Sequence, residues 1–172
     1  MLESGIDWRG ITMASGEVWK EYESNEISHS VAHHLAAIGE LTLQHGYARV
    51  SDVARHLQIT RGSASLTLKA LRLKNFVLED ENKFLRLSTE GQSIVDGILA
   101  KRKIVRTFLN DVLKVDERQA EIDACKVEHL LSEETTETLL RFLEHLLSDQ
   151  DLAISFRKAF WDREGKATTI DE

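Results

Sequence analysis

Apolar residues recur at helical spacing over most of the chain. In residues 26–45 the set Ile27, Val31, Leu35, Ile38 and Leu41 or Leu43 steps by three or four positions, and Gly46 stops the pattern. Two shorter helices follow. Ser51 is the expected N-cap for 52–57, and Thr60 for a helix from 61 to about 75; so tight a link predicts a helix-turn-helix. Phe76-Val77-Leu78 and Phe84-Leu85-Arg86-Leu87 then flank polar 79–83, which predicts a small β-hairpin and so the winged form of the motif. Ser88 or Thr89 caps a long helix reaching about residue 113 through Ile94, Val95, Ile98, Leu99, Val105, Phe108 and Leu109. Asp116 caps 117–131, and Ser132 caps 133–147, with Glu133 and Glu134 favourably placed in its first turn. A last amphipathic piece, 152–161, leads into a polar tail at 163–172.

The expected fold class is mainly α: an N-terminal winged helix-turn-helix at 26–88, then an all-helical domain at 89–162. Residues 1–25 hold Gly5, Gly10 and Gly16 without a sustained period and are expected to form an N-terminal extension, part of which docks through Trp8 and Trp19. Composition agrees. The 172 residues include no Pro and only 9 Gly, and 42% are apolar, enough for one core or two small ones. The single Cys excludes an internal disulfide and suits a reducing compartment. No apolar run reaches the length of a membrane span, and Glu3, Asp7 and Glu17 interrupt the first twenty residues, so a cytoplasmic protein without a membrane partner is expected.

A net charge of −7 argues at first against nucleic acid. Its distribution reverses that inference. Residues 46–87 carry eight Lys/Arg and four acids, net +4, so the rest of the chain stands at −11: a basic head on an acidic body. Thr60, Arg61, Gly62, Ser63 and Ser65 are the small and polar residues that let a recognition helix approach the major groove, and Arg61 can reach a guanine edge or a phosphate. Arg49 and Lys69 complete the expected contacts with double-stranded operator DNA. The acidic wing tip, Glu79 to Glu81, is the feature against this reading.

Cys125, Glu128 and His129, at i, i+3 and i+4, share one face of the fifth expected helix. Thiolate, carboxylate and imidazole together form a ligand set for a divalent transition metal. The first helix offers further donors in His29 and His33, with His34 beside them. A buried core Cys and a surface Glu-His pair are the ordinary alternative.

The run Gly46-Tyr47-Ala48-Arg49-Val50-Ser51-Asp52-Val53-Ala54, the wing ending in Leu87-Ser88-Thr89-Glu90-Gly91, and Val115-Asp116-Glu117 followed by Cys125-x-x-Glu128-His129-x-x-Ser132 resemble the DtxR/MntR family. These are the iron- and manganese-dependent repressors named for the diphtheria toxin repressor. The resemblance spans about residues 26–148. It implies a homodimer with a winged helix, a helical dimerisation domain and a metal site joining the two, in the two-domain form without an SH3-like domain. It also implies that Cys125, Glu128 and His129 match the iron-type primary site and that His33 takes the first-helix ligand position, with His29 a further donor. The second carboxylate of manganese-type members falls at Ala36. Fe(II) is the expected cofactor, with Mn(II), Zn(II) and Co(II) as the other candidates.

The family's ancillary metal site falls at Arg102, Arg106 and Glu121, where guanidinium groups cannot coordinate a cation. That second ion is therefore expected to be absent, with Arg102 or Arg106 paired to Glu121 in its place. Two other functions remain open. One is a winged-helix regulator without metal control, sensing redox state through Cys125 or a small ligand; the other is a winged-helix module that binds protein. An enzyme is not expected, because no nucleophile, paired-acid constellation or phosphate loop is present.

Overall fold

The computed structural model describes residues 27–167. The expected N-terminal extension with Trp8 and Trp19, and the end of the polar tail, lie outside the described residues. Within them the order is α1 (His29–His45), α2 (Val50–His56), α3 (Arg61–Leu73), β1 (Val77–Glu79), β2 (Leu85–Leu87), α4 (Thr89–Thr107), a π-helical turn (Phe108–Val112), α5 (Glu117–Val127), α6 (Glu133–Leu146) and α7 (Asp151–Ala167). No helix among the described residues is long and apolar enough to cross a membrane.

Local chemistry sets most boundaries. Ser28, Thr60, Ser88 and Ser132 each accept a hydrogen bond from the backbone N–H three residues on, and Asp116 accepts from Arg118 and Gln119. Gly46 ends α1 in the left-handed region at φ 80°, its N–H donating to the Thr42 carbonyl at 2.9 Å. Ser51 is not the cap of α2. Asp52 accepts instead from the Arg49 backbone N–H at 3.2 Å, which starts the helix two residues earlier and leaves Ser51 within its first turn.

The hairpin is antiparallel, pairing Val77 with Leu87, Leu78 with Arg86 and Glu79 with Leu85. One apolar cluster joins α1, α2, α3, the hairpin and the start of α4 through Leu35, Ile38, Val53, Leu68, Leu71, Leu85 and Val95. A smaller one holds Val112, Leu143 and Leu146, packed by Ile104 and Phe108. α1 packs on α4 as well as on the helix-turn-helix, and α5 lies along α4. A change in either contact therefore acts on both ends of the molecule.

The long fourth helix ends sooner than its apolar period implies. After Thr107 the backbone widens into the π turn, closed by Leu113 N–H donating to the Phe108 carbonyl at 3.1 Å, and Lys114 turns the chain at φ 57°. Gly91, in the first turn of α4, is fixed by packing: an added Cβ would lie 2.1 Å from the Phe76 carbonyl oxygen. Gly91→Ala is expected to destabilise the fold by about 2–3 kcal/mol, measured by urea unfolding. A change below about 0.5 kcal/mol would show that the wing and α4 separate freely.

Candidate metal centre and recognition helix

α1 carries its histidines on two faces. His29 and His33, one turn apart, set their ring centroids 4.3 Å from each other. His34 faces the interior at 3% exposure and donates from Nδ1 to the Ser30 carbonyl at 2.6 Å, so it belongs to the core. From α5, Cys125 places its Sγ 3.3 Å from His33 Nε2. One donor atom each from His29, His33 and Cys125 lies within 4.8 Å of the other two. Donors on a tetrahedral ion of zinc or iron size stand about 3.3–3.8 Å apart. A contraction of about 1 Å brings these three atoms to that spacing. The residues therefore fit a nitrogen- and sulfur-liganded ion, with the His129 ring, 5.1 Å from that of His29, at its edge.

Burial shapes the protonation of these donors. It pushes the Cys125 thiol up, an effect that the Arg102 guanidinium opposes and the carboxylates of Glu128 and Glu121 reinforce. It lowers His33 and His129 below the ordinary imidazole value, with neighbouring His29 acting in the same direction. At neutral pH those two rings are uncharged, which is the form that binds cations.

Glu128 stands apart from this cluster. α5 ends at Val127, so Glu128 is its C-cap and His129 lies in the following turn. The Glu128 carboxylate has no solvent exposure, and Arg102 of α4 holds both its oxygens: Nε donates to Oε2 at 2.5 Å and Nη2 to Oε1 at 2.8 Å. The same guanidinium stands 3.7 Å from Cys125 Sγ and 3.7 Å from Glu121 Oε1. Arg106 Nε lies 3.8 Å from Glu121 Oε2. The two guanidiniums thus face two carboxylates, and the hydrogen bonds to Glu128 raise the Arg102 pKa further above its already high ordinary value.

On the recognition helix α3, Arg61, Gly62, Ser63, Ser65 and Lys69 are exposed along one side, while Ala64, Leu68 and Leu71 are buried on the other. The Thr60 hydroxyl is occupied as the cap of α3. Arg49 stacks its guanidinium 4.6 Å from the Phe84 ring centroid, at the root of the wing. The acidic wing is largely internal in purpose. Glu79 pairs with Arg72 and, at 3.1 Å, with Lys83, and Asp80 accepts from the N–H groups of Asn82 and Phe84 to shape the turn. Leu66 is absent from the contacts expected from sequence, yet it is 73% exposed between Ser65 and Lys69. Its signal is an apolar residue two positions from both Ala64 and Leu68, on the face away from the buried stripe of α3.

Residues 88–152 match the family model described as "Iron dependent repressor, metal binding and dimerisation domain". An uncharacterised helix-turn-helix transcriptional regulator of Methanocaldococcus jannaschii is 31% identical over 96 residues, covering 56% of this chain and 77% of the relative. The chain belongs to the DtxR/MntR family. The transcriptional regulator MntR of Lysinibacillus sphaericus is 24% identical over 123 residues, 72% of this chain and 88% of its own length. Among solved structures, IdeR of T. acidophilum aligns with TM-score 0.57 and 24% identity over 69% of this chain. The manganese regulator SloR aligns with TM-score 0.60 and 24% identity over 66%. The chain spans about half the length of these two structures, 55% and 53%, and the likeness is one of fold. In this DtxR/MntR member, α1 and α5 supply the donor cluster, and α4 meets it with arginine.

Proposed function

We propose that the protein is a metal-responsive, DNA-binding transcriptional regulator, acting as a repressor and a homodimer and not as an enzyme. The observation that carries this reading is the convergence of His29 and His33, on α1 of the winged head, with Cys125, 92 residues from His33 and on α5 of the helical body. A divalent ion, Fe(II) before Zn(II), Co(II) or Mn(II), supplies a tie between α1 and α5 when bound. The residues do the rest. α1 packs on both the helix-turn-helix and α4, so fixing α1 against α5 fixes α3 relative to the body. In a dimer that sets the spacing of the two recognition helices against half-sites about one turn of DNA apart. Apolar side chains left exposed on α6 and α7, Leu140, Phe142, Leu152 and Phe156 among them, support a body that pairs with a second copy.

The test is an anaerobic titration of genomic duplexes selected by the Fe(II)-loaded protein, with and without ion. Tighter binding with the ion is expected, and equal affinity of the two forms would end the sensor reading. Two further outcomes follow from the site. Arg61→Ala should weaken binding to all sequences and lower the salt slope by about 1. Leu66→Ala should instead relax discrimination at one base pair, by about 1 kcal/mol, because an apolar side chain reads a thymine methyl.

Protonation gives an independent check. The Cys125 thiol is held up by burial and remains protonated at pH 7, whereas His33 and His129 are held down and are already neutral. Binding through the thiolate therefore displaces the Cys125 proton, and affinity should rise about tenfold between pH 7 and 8. Calorimetry in two buffers of different ionisation enthalpy measures it, and no proton release would place Cys125 outside the shell. The raised thiol also speaks against Cys125 as an ionised redox switch.

A further inference from the structure

Among the described residues Glu128 is the one carboxylate in the buried interior, with no exposure at all. A charge so placed needs a counter-charge within reach. Arg102 provides it, taking both oxygens in a bidentate pair while its Nη1 and Nη2 also approach Glu121 and Cys125. Glu128 accordingly falls outside the cluster of donor atoms formed by His29, His33 and Cys125. We propose that Arg102 is a resident cation that keeps Glu128 out of the metal's coordination shell, so that imidazole nitrogen and thiolate alone select the ion and Mn(II) is disfavoured. This assignment rests on the reading of the centre as a metal site.

Recruiting Glu128 as a ligand would mean breaking a charge-assisted pair and leaving a guanidinium, only 20% exposed, beside a second positive charge. Mn(II) depends most on oxygen donors and stands lowest in intrinsic affinity, so it has least to offset that loss. Zn(II), Co(II) and Fe(II) gain from the thiolate and the imidazoles whether or not Glu128 joins. Arg102 and Arg106 against Glu121 and Glu128 are already balanced in charge, so no second ion is called for between α4 and α5.

The experiment is equilibrium binding of Co(II) and Mn(II) to the full chain, read by cobalt absorption and competition, for wild type, Arg102→Gln and Arg102→Gln/Glu128→Gln. Wild type is expected to take one Co(II) per chain with a thiolate-to-cobalt charge-transfer band. The double variant, which leaves no buried charge, should keep its Co(II) affinity within about threefold, whereas Arg102→Gln should shift preference toward Mn(II) by about tenfold as Glu128 is released. Loss of Co(II) binding by tenfold or more in a folded double variant, as seen by circular dichroism, would overturn the assignment, because Glu128 would then be a ligand. An unchanged preference in Arg102→Gln would overturn it too, and if that variant does not fold the double variant decides alone. Failure of the sensor reading looks different: Co(II) binds as described while DNA affinity ignores it. Absence of any Co(II) binding by wild type removes both.

Discussion

Cys125→Ser is expected to lower Fe(II) and Co(II) affinity by about 100-fold and to make DNA binding indifferent to the ion. The size follows from position as much as from softness. Cys125 is the only thiol in the chain and the member of the donor cluster that comes from α5; the other two, His29 and His33, both come from α1. An ion held by two histidines one turn apart decorates a helix without linking it to anything. The Ser variant should therefore retain weak metal binding and basal DNA affinity while the factor between loaded and metal-free protein collapses to about one, as coupling free energy requires when the link is lost. Stability should change by less than about 1 kcal/mol, since Cys125 is only half-buried and Ser is close to isosteric. The measurement is DNA affinity at saturating and at zero ion for both proteins. A Ser variant that keeps the wild-type ratio would show that the coupling runs through another contact between α1 and the body.

The parts of this arrangement legible in the sequence are those with local causes. Thr60, Ser88, Asp116 and Ser132 cap their helices because the acceptor and the orphan N–H are two or three residues apart, a distance that sequence fixes. The α2 boundary shifts for an equally local reason, Asp52 reaching back to Arg49 where Ser51 was the expected cap. The π turn has no such signature. Asn110 Nδ2 donates locally to the Val115 carbonyl, but the bond to the Val112 carbonyl comes from Trp161 Nε1 of α7, and apolar periodicity alone extends α4 straight through the turn.

The donor cluster shows the same division. Periodicity pairs His29 with His33 and aligns Cys125 with Glu128 and His129, since these are i, i+3 and i+4 relations. What each side chain meets across helices depends on the register of α4 against α5, and no spacing rule contains that. Sequence therefore presents Arg102 as a residue that cannot hold a metal and that pairs with Glu121, while in the structure its shorter, bidentate contact is with Glu128. Likewise Glu79 reads as an obstacle to DNA until Arg72 and Lys83 are seen to neutralise it.

Arg102→Ala is expected to cost about 3–5 kcal/mol, the largest stability effect of any single ion pair among the described residues. Contrast with the surface decides the ranking. Arg55 pairs with Asp52 at 3.4 Å, but its side chain is 79% exposed, and such a pair contributes about 0–1 kcal/mol. Glu128 has no exposure, and removing Arg102 strands its charge in the interior between α4 and α5 without a bidentate partner. For a chain of this size the loss corresponds to a melting temperature lower by roughly 6–20 °C. Glu128→Ala alone leaves Arg102 with Glu121 and a path to solvent, so its cost should be smaller, and Arg102→Ala/Glu128→Ala should recover part of the loss. A double-mutant cycle should return a coupling of about 2 kcal/mol or more for Arg102 with Glu128, and well under 1 for Arg106 with Glu121, whose side chains are 43% and 45% exposed. Equal and small couplings for both pairs would mean that water reaches Glu128, and that α4 and α5 are joined by apolar contact alone.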